Sequence, residues 1–143
     1  MEESIKYLKD QFGLPDVDIR TYSPTVLAYI GDGIYELLIR TILVDMGNRQ
    51  ANMLHKKASG YVRASAQCAM ILALQEELTE EELQVYRRGR NAKTVSMAKN
   101  ATMHDYRHAT GFEALMGYLY LTGQMNRMID LVKIGMEKTG GLP

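Results

Sequence analysis

The chain is predicted to be all-α, one domain of about six or seven helices, and three observations carry that prediction. Apolar residues recur at three- and four-residue spacing along most of the sequence. No stretch alternates polar and apolar side chains as a half-buried strand does. Alanine, leucine, glutamine and glutamate, all good helix formers, fill the segments between glycine and proline stops. With 143 residues, 46% apolar and 24% charged, the chain can bury one core but is too short for a catalytic domain plus an independent second module. No apolar run approaches the roughly 20 residues of a membrane helix. The charged start MEESIKYLKD lacks the pattern of a secretion signal, so a cytoplasmic location and no membrane contact are expected.

The elements follow in order. Ile5, Leu8 and Phe12 form a short amphipathic pattern that Gly13 and Pro15 end, as a packing arm would. Ser23 and Pro24 start a second helix: serine can cap free amides and proline is preorganised for the first turn. Its apolar positions Val26, Leu27, Ile30, Ile34, Leu37, Leu38 and Ile42 lead to Met46, and Gly47 is a natural stop. Apolar around most of its circumference, it reads as a central or subunit-interface helix. A third helix is expected over 50–59, with Leu54 and Ala58 on one face and a break at Gly60. The segment 61–78 should be a fourth, with a stripe through Val62, Ala66, Ala69, Leu72 and Ala73. Thr79 and Glu82 have capping-box spacing and begin a fifth, ending near Arg88. The stretch 91–103, small and polar, is predicted to be a mobile basic loop. Helical periodicity resumes over 105–122 and again over 125–138, where Met125, Met128, Ile129, Val132 and Met136 make a stripe.

Two acids stand out against this frame. Asp32 lies between Gly31 and Gly33 on the apolar second helix, and Glu113 lies among Phe112, Ala114, Leu115 and Met116. Carboxylates in such settings require partners. If the two meet, they can share a divalent cation, because oxygen ligands suit Mg²⁺ or Mn²⁺ and Mg²⁺ needs only one or two protein carboxylates. The alternative is that each pairs with a nearby base or faces solvent. Glu36 illustrates it: Arg40 follows four residues later in the favourable orientation, although Glu36 also lies one turn from Asp32 and could brace a metal shell.

His104 and His108 also have the spacing of a zinc pair, but no third ligand is visible, and capping, core hydrogen bonds or phosphate contacts are the favoured roles. Cys68, the only cysteine, excludes an internal disulfide and any cysteine-based metal cluster, and its apolar setting marks a buried structural thiol. Glycine-rich segments match no phosphate-cradling loop, so nucleoside-triphosphate chemistry is not expected.

The formal net charge is zero, yet bases are clustered. No acid occurs between Asp45 and Glu76, a window holding Arg49, Lys56, Lys57 and Arg63. Arg87, Arg88, Arg90, Lys93, Lys99 and Arg107 follow with Asp105 as their only intervening acid. Such a run is either a solvated surface or a phosphate-attracting one. Its place just before Glu113 favours phosphodiester chemistry.

These residues are recognisable as a set. LAYIGDGIYE, followed by FEALMGYLYL, resembles the two motifs of the ribonuclease III catalytic domain, and RRGRNAK, HKKAS and YRHATGFEAL resemble its short bacterial form, the Mini-ribonuclease III members. The resemblance covers about 20–135 and implies an all-α homodimer that cuts double-stranded RNA with one site per subunit. It implies metal-binding and catalytic roles for Asp32 and Glu113, with Mg²⁺ or Mn²⁺ as cofactor, and a dimer contact for Tyr29. Two acids of the general family pattern are absent, their positions taken by Ala28 and Thr110. The resemblance further implies products with 5′ phosphate and 3′ hydroxyl ends, short 3′ overhangs and a role in maturing the 23S ribosomal RNA, with a ribosomal protein or pre-ribosome as a further partner. A separate double-stranded-RNA-binding domain is not expected within the chain. RNA binding would then fall to the 87–99 loop with Lys56, Lys57 and Arg107. A competing expectation is a non-catalytic RNA-binding or ribosome-associated helical dimer.

Overall fold

The computed structural model describes residues 2–93 and 102–143, and among them are seven α-helices, one 3-10 turn and no strand. They are α1 (Glu2–Phe12), the 3-10 turn Ile19–Thr21, α2 (Pro24–Met46), α3 (Ala51–Val62), α4 (Ala64–Ala73), α5 (Glu80–Arg90), α6 (Met103–Leu121) and α7 (Met125–Thr139). Helix α6 is the centre: it packs against α2, α4, α5 and α7, and most of its residues after Thr110 are buried. The main core joins Tyr35 and Ile39 of α2, Met70 and Ile71 of α4, Phe112 and Leu115 of α6, and Met128 and Leu131 of α7. Phe112 meets Tyr35 edge to face, with ring centroids 4.9 Å apart. The Tyr35 hydroxyl donates to the Tyr61 carbonyl at 2.8 Å, which ties α2 to the end of α3.

The local signals act as their chemistry dictates. Ser23 Oγ accepts from the Val26 amide at 3.3 Å, with Pro24 opening the helix. Thr79 and Glu82 make the complete capping box. Glu82 then does a second job, because Arg127 of α7 donates to both its oxygens at 2.9 Å and also to the Glu77 carbonyl at 2.7 Å. Burial opposes ionisation of Glu82, but the bonds from Arg127 and from the cap outweigh it and hold its pKa below the usual value. The Glu82 side chain is 5% exposed, so Arg127→Ala leaves a buried charge unpaired. We expect a loss of about 2–3 kcal/mol in urea unfolding at neutral pH. The difference should shrink as acid protonates Glu82, since a depressed folded pKa confers stability that is lost as pH falls through it.

Three boundaries or faces differ from the sequence expectation. Gly60 does not break α3, because one solvent-facing glycine weakens a helix by only about 1 kcal/mol. The break falls at Arg63, whose extended backbone (ψ 155°) ends α3 and caps α4 at once. The buried face of α4 is Gln67, Cys68, Met70 and Ile71, not the stripe through Ala69 and Leu72, because the larger Met70 and Ile71 fill the core that the alanines of the expected stripe would leave empty. In α7, Leu131 replaces Ile129 on the buried face.

Helix α1 buries none of its residues fully, and Phe12 is 75% exposed, so among the described residues the expected packing arm does not enter the core. No described helix is long and apolar enough to cross a membrane.

Candidate active site

The site is built by two helices that touch backbone to backbone. A Cβ added to Gly31 of α2 would overlap the carbonyl oxygen of Glu113, and one added to Gly117 of α6 would overlap the carbonyl of Leu27. Only hydrogen side chains allow that approach, and it sets the register in which Asp32 and Glu113 face the same cleft. The cleft encloses about 750 Å³, and its walls include Ala28, Asp32, Arg63, Gln67, Thr110 and Glu113.

The electrostatics of the pair are strained without a counter-charge. Burial pushes the Glu113 carboxyl up to about 8, helped by the neighbouring Asp32 carboxylate, while Gln67 works in the opposite direction. Glu113 thus keeps a proton near neutral pH unless a cation takes that proton's place. Gln67 lines the same cleft. Its Nε2 donates to the Val62 carbonyl at 2.9 Å, which leaves Oε1 buried and, among the described residues, without a hydrogen-bond partner. The two carboxylates are oxygen donors of the kind that suits Mg²⁺ or Mn²⁺, with water completing the shell.

The cleft also contains the two positions where the broader family pattern has acids, Ala28 and Thr110, so the missing carboxylates would have pointed into this same space. Glu36 lies outside it and pairs with Arg40 at 2.7 Å. Tyr29 edges the cleft from the outer face of α2 and is 82% exposed. Lys56 and Lys57 border a depression of about 590 Å³ that shares Arg63 and Ser65 with the cleft. Arg87, Arg88 and Arg90 are not in a loop: they form the last turn of α5, where bases complement the negative helix end. Lys93 follows, exposed, and Lys99 lies outside the described residues. Arg107 is exposed on α6 and shares a pocket with Arg90, His104 and His108. Tyr86 and His108 are hydrogen bonded at 2.6 Å, and burial first, then His104 and Arg90, hold the His108 pKa low.

Two cleft residues do not stand out as site residues in the sequence. Gln67 carries the signal that marks Asp32 and Glu113, a lone polar side chain in an apolar helix, here AQCAMILAL. Arg63 is visible as a base in the acid-free window, but its place on the cleft wall depends on the kink it makes.

Comparison with known proteins agrees with this fold. The ribonuclease III domain family matches residues 25–124. Mini-ribonuclease 3 of Enterococcus faecalis is 48% identical over 125 residues, 86% of this chain and 95% of that protein. Mini-ribonuclease 3 of a Thermoanaerobacter species is 41% identical over 138 residues, 96% and 97% of the two chains. A crystal structure of a Fusobacterium nucleatum protein superposes with a TM-score of 0.74 at 31% identity, covering 83% of this chain and 95% of that one.

Proposed function

The chain belongs to the ribonuclease III domain family and is an endoribonuclease of double-stranded RNA, and we propose that Asp32 and Glu113 are its catalytic, metal-binding pair. The observation that carries this is that the Asp32 and Glu113 carboxylates line one cleft, where burial and the neighbouring Asp32 push the Glu113 carboxyl up to about 8. The pair would hold a divalent cation, Mg²⁺ or Mn²⁺. When bound, that ion lowers the pKa of water and offsets charge developing on a leaving oxygen.

The chain's residues supply the rest. Asp32 reaches the cleft from the exposed side of α2 and Glu113 from the half-buried side of α6, so a phosphate in the cleft meets both. Arg63 stands on the same wall and offers a guanidinium to the phosphate backbone. Water attacks phosphorus, the bond to the 3′ oxygen breaks, and the products carry a 5′ phosphate and a 3′ hydroxyl. Lys56, Lys57, Arg87, Arg88, Arg90, Lys93, Lys99 and Arg107 serve as RNA-binding bases, consistent with duplex RNA being recognised by shape and backbone. The active form is a homodimer through α2, supported by exposed Val26, Tyr29, Leu37 and Val44 on its outer face. The substrate in this reading is the precursor of 23S ribosomal RNA, with a ribosomal protein or the pre-ribosome as partner, and it rests on the resemblance of the sequence motifs to the short bacterial form.

The test is incubation of the full chain with labelled duplex RNA and Mg²⁺. New 5′ phosphate ends that disappear on chelation and return with Mg²⁺ are expected, whereas binding without cleavage would favour the non-catalytic RNA-binding dimer. In the same assay, Arg88→Ala with Lys93→Ala should weaken duplex binding at low salt. The slope of log affinity against log salt should fall by about 1 for each phosphate no longer neutralised. Both side chains are exposed, so folding should be unaffected, whereas Arg90 lies over the Tyr86 ring at 5.5 Å and is a poorer probe. A salt slope equal to that of the unsubstituted chain would remove these residues from the RNA surface.

A further inference from the structure

We infer that Cys68, His104 and Asp105 form a second, chemically distinct cation site, one for Zn²⁺ or a comparable borderline-soft transition metal. Folding supplies the ligand that the histidine spacing lacked, because Cys68 of α4 lies against the first turn of α6. Cys68 Sγ is 3.7 Å from His104 Nδ1, and Asp105 Oδ1 is 3.6 Å from the same nitrogen. One donor atom from each of the three residues lies within 4.8 Å of the other two. Tetrahedral zinc, with bonds of about 2.3 Å to sulfur and about 2.0–2.1 Å to nitrogen and oxygen, separates its ligand atoms by roughly 3.4–3.6 Å. The three donors are therefore close to the spacing such an ion imposes.

The Cys68–His104 contact is a weak sulfur–nitrogen hydrogen bond at 3.7 Å, and the same imidazole nitrogen faces the Asp105 carboxylate at 3.6 Å, too long for a nitrogen–oxygen hydrogen bond. A cation between the three satisfies all of them together.

The surroundings fit this use. Cys68 is buried, whereas the His104 side chain is 64% exposed, so an ion has a solvent route to a protected thiol that gives up its proton on binding. The Cys68 thiolate and the Asp105 carboxylate would together balance a divalent charge, which matters because Arg90 and Arg107 line the adjoining pocket. His108 stacks its edge on His104, ring centroids 4.4 Å apart, and its own Nδ1 is held by the Tyr86 hydroxyl. It orients His104 and leaves the fourth position to water. Sulfur and imidazole select zinc-like ions, while the cleft carboxylates of Asp32 and Glu113 offer only oxygen. The two sites share a wall, since Asp105 also lines that cleft, and an ion at Cys68 would fix the position of its carboxylate.

Cys68 is the only cysteine, so a thiolate-to-cobalt charge-transfer band in the near ultraviolet reports on this site alone. Co²⁺ titrated into the full chain in excess Mg²⁺ should produce that band, and Zn²⁺ should abolish it. Cys68→Ser should show no band. His104→Ala, an exposed substitution that keeps the fold, should bind Co²⁺ at least roughly tenfold more weakly. Asp32→Asn should retain the band at full strength, which separates this site from the nuclease pair. Absence of the band at saturating Co²⁺, or unchanged Co²⁺ affinity in His104→Ala, would overturn the assignment. Neither result depends on RNA cleavage.

Discussion

Glu113→Gln should lower duplex-RNA cleavage by roughly 10³-fold or more, because it removes a charge aligned with the developing phosphate chemistry and breaks up the carboxylate pair in the cleft. A variant that still cuts at a comparable rate would end the assignment of the pair. The same substitution has an opposite signature in stability. The folded Glu113 carboxyl titrates at about 8 against an ordinary 4.5, so its proton is held more tightly in the folded chain. The resulting stability is complete below about 4.5 and is lost as pH rises through about 8. Without added metal, the unsubstituted chain should therefore weaken across that interval, by an amount on the order of a few kcal/mol at about 1.4 kcal/mol per pH unit. Glutamine cannot titrate, so Glu113→Gln should be the more stable of the two at pH 9. Added Mg²⁺ should restore the unsubstituted chain and leave Glu113→Gln nearly unchanged, and its apparent affinity should rise with pH up to about 8. Thermal unfolding at several pH values, with and without Mg²⁺, reads all of this.

That pair was legible in the sequence for a reason that reaches beyond charged residues. A carboxylate in an apolar helix signals a partner, and Asp32 and Glu113 proved to share one cleft. Gln67 obeys the same logic, yet an uncharged amide attracts less notice, although its buried oxygen is as much in need of a ligand. Helix existence was legible because apolar periodicity is set by core burial, and the Thr79 and Ser23 caps were legible because capping is local chemistry. Phase was not. The face that α4 buries is set by its packing against α6 and α7, and the break at Arg63 is as hidden, since nothing in the residue itself announces that its backbone will be extended. The Cys68, His104 and Asp105 cluster was equally hidden, because its third ligand sits on a different helix, 36 positions away in the chain. Glycines were the most easily misread. Gly31 and Gly33 look alike beside Asp32, but one is pressed against α6 and the other faces open space.

That contrast yields the second large effect. In Gly31→Ala the new methyl would occupy the position of the Glu113 carbonyl oxygen, and the obstacle is backbone rather than a side chain that could rotate away. Helices α2 and α6 must separate, and a disrupted interface between the two central helices should lower stability by about 3 kcal/mol or more. Gly33→Ala, two residues along the same helix, meets nothing within 4 Å and removes a glycine from a helix interior, so it should be neutral or stabilising by up to about 1 kcal/mol. Activity separates a register effect from simple unfolding. Because Gly31 presses on Glu113 itself, displacement there moves one carboxylate relative to the other, and a shift of about 1 Å in such a site lowers rate by roughly 100-fold. Gly31→Ala should thus lose more cleavage than its folded fraction explains, when both are measured at a temperature where most of the variant remains folded. If activity per folded molecule matched that of Gly33→Ala, the close approach would be needed for stability alone and not for the alignment of Asp32 with Glu113.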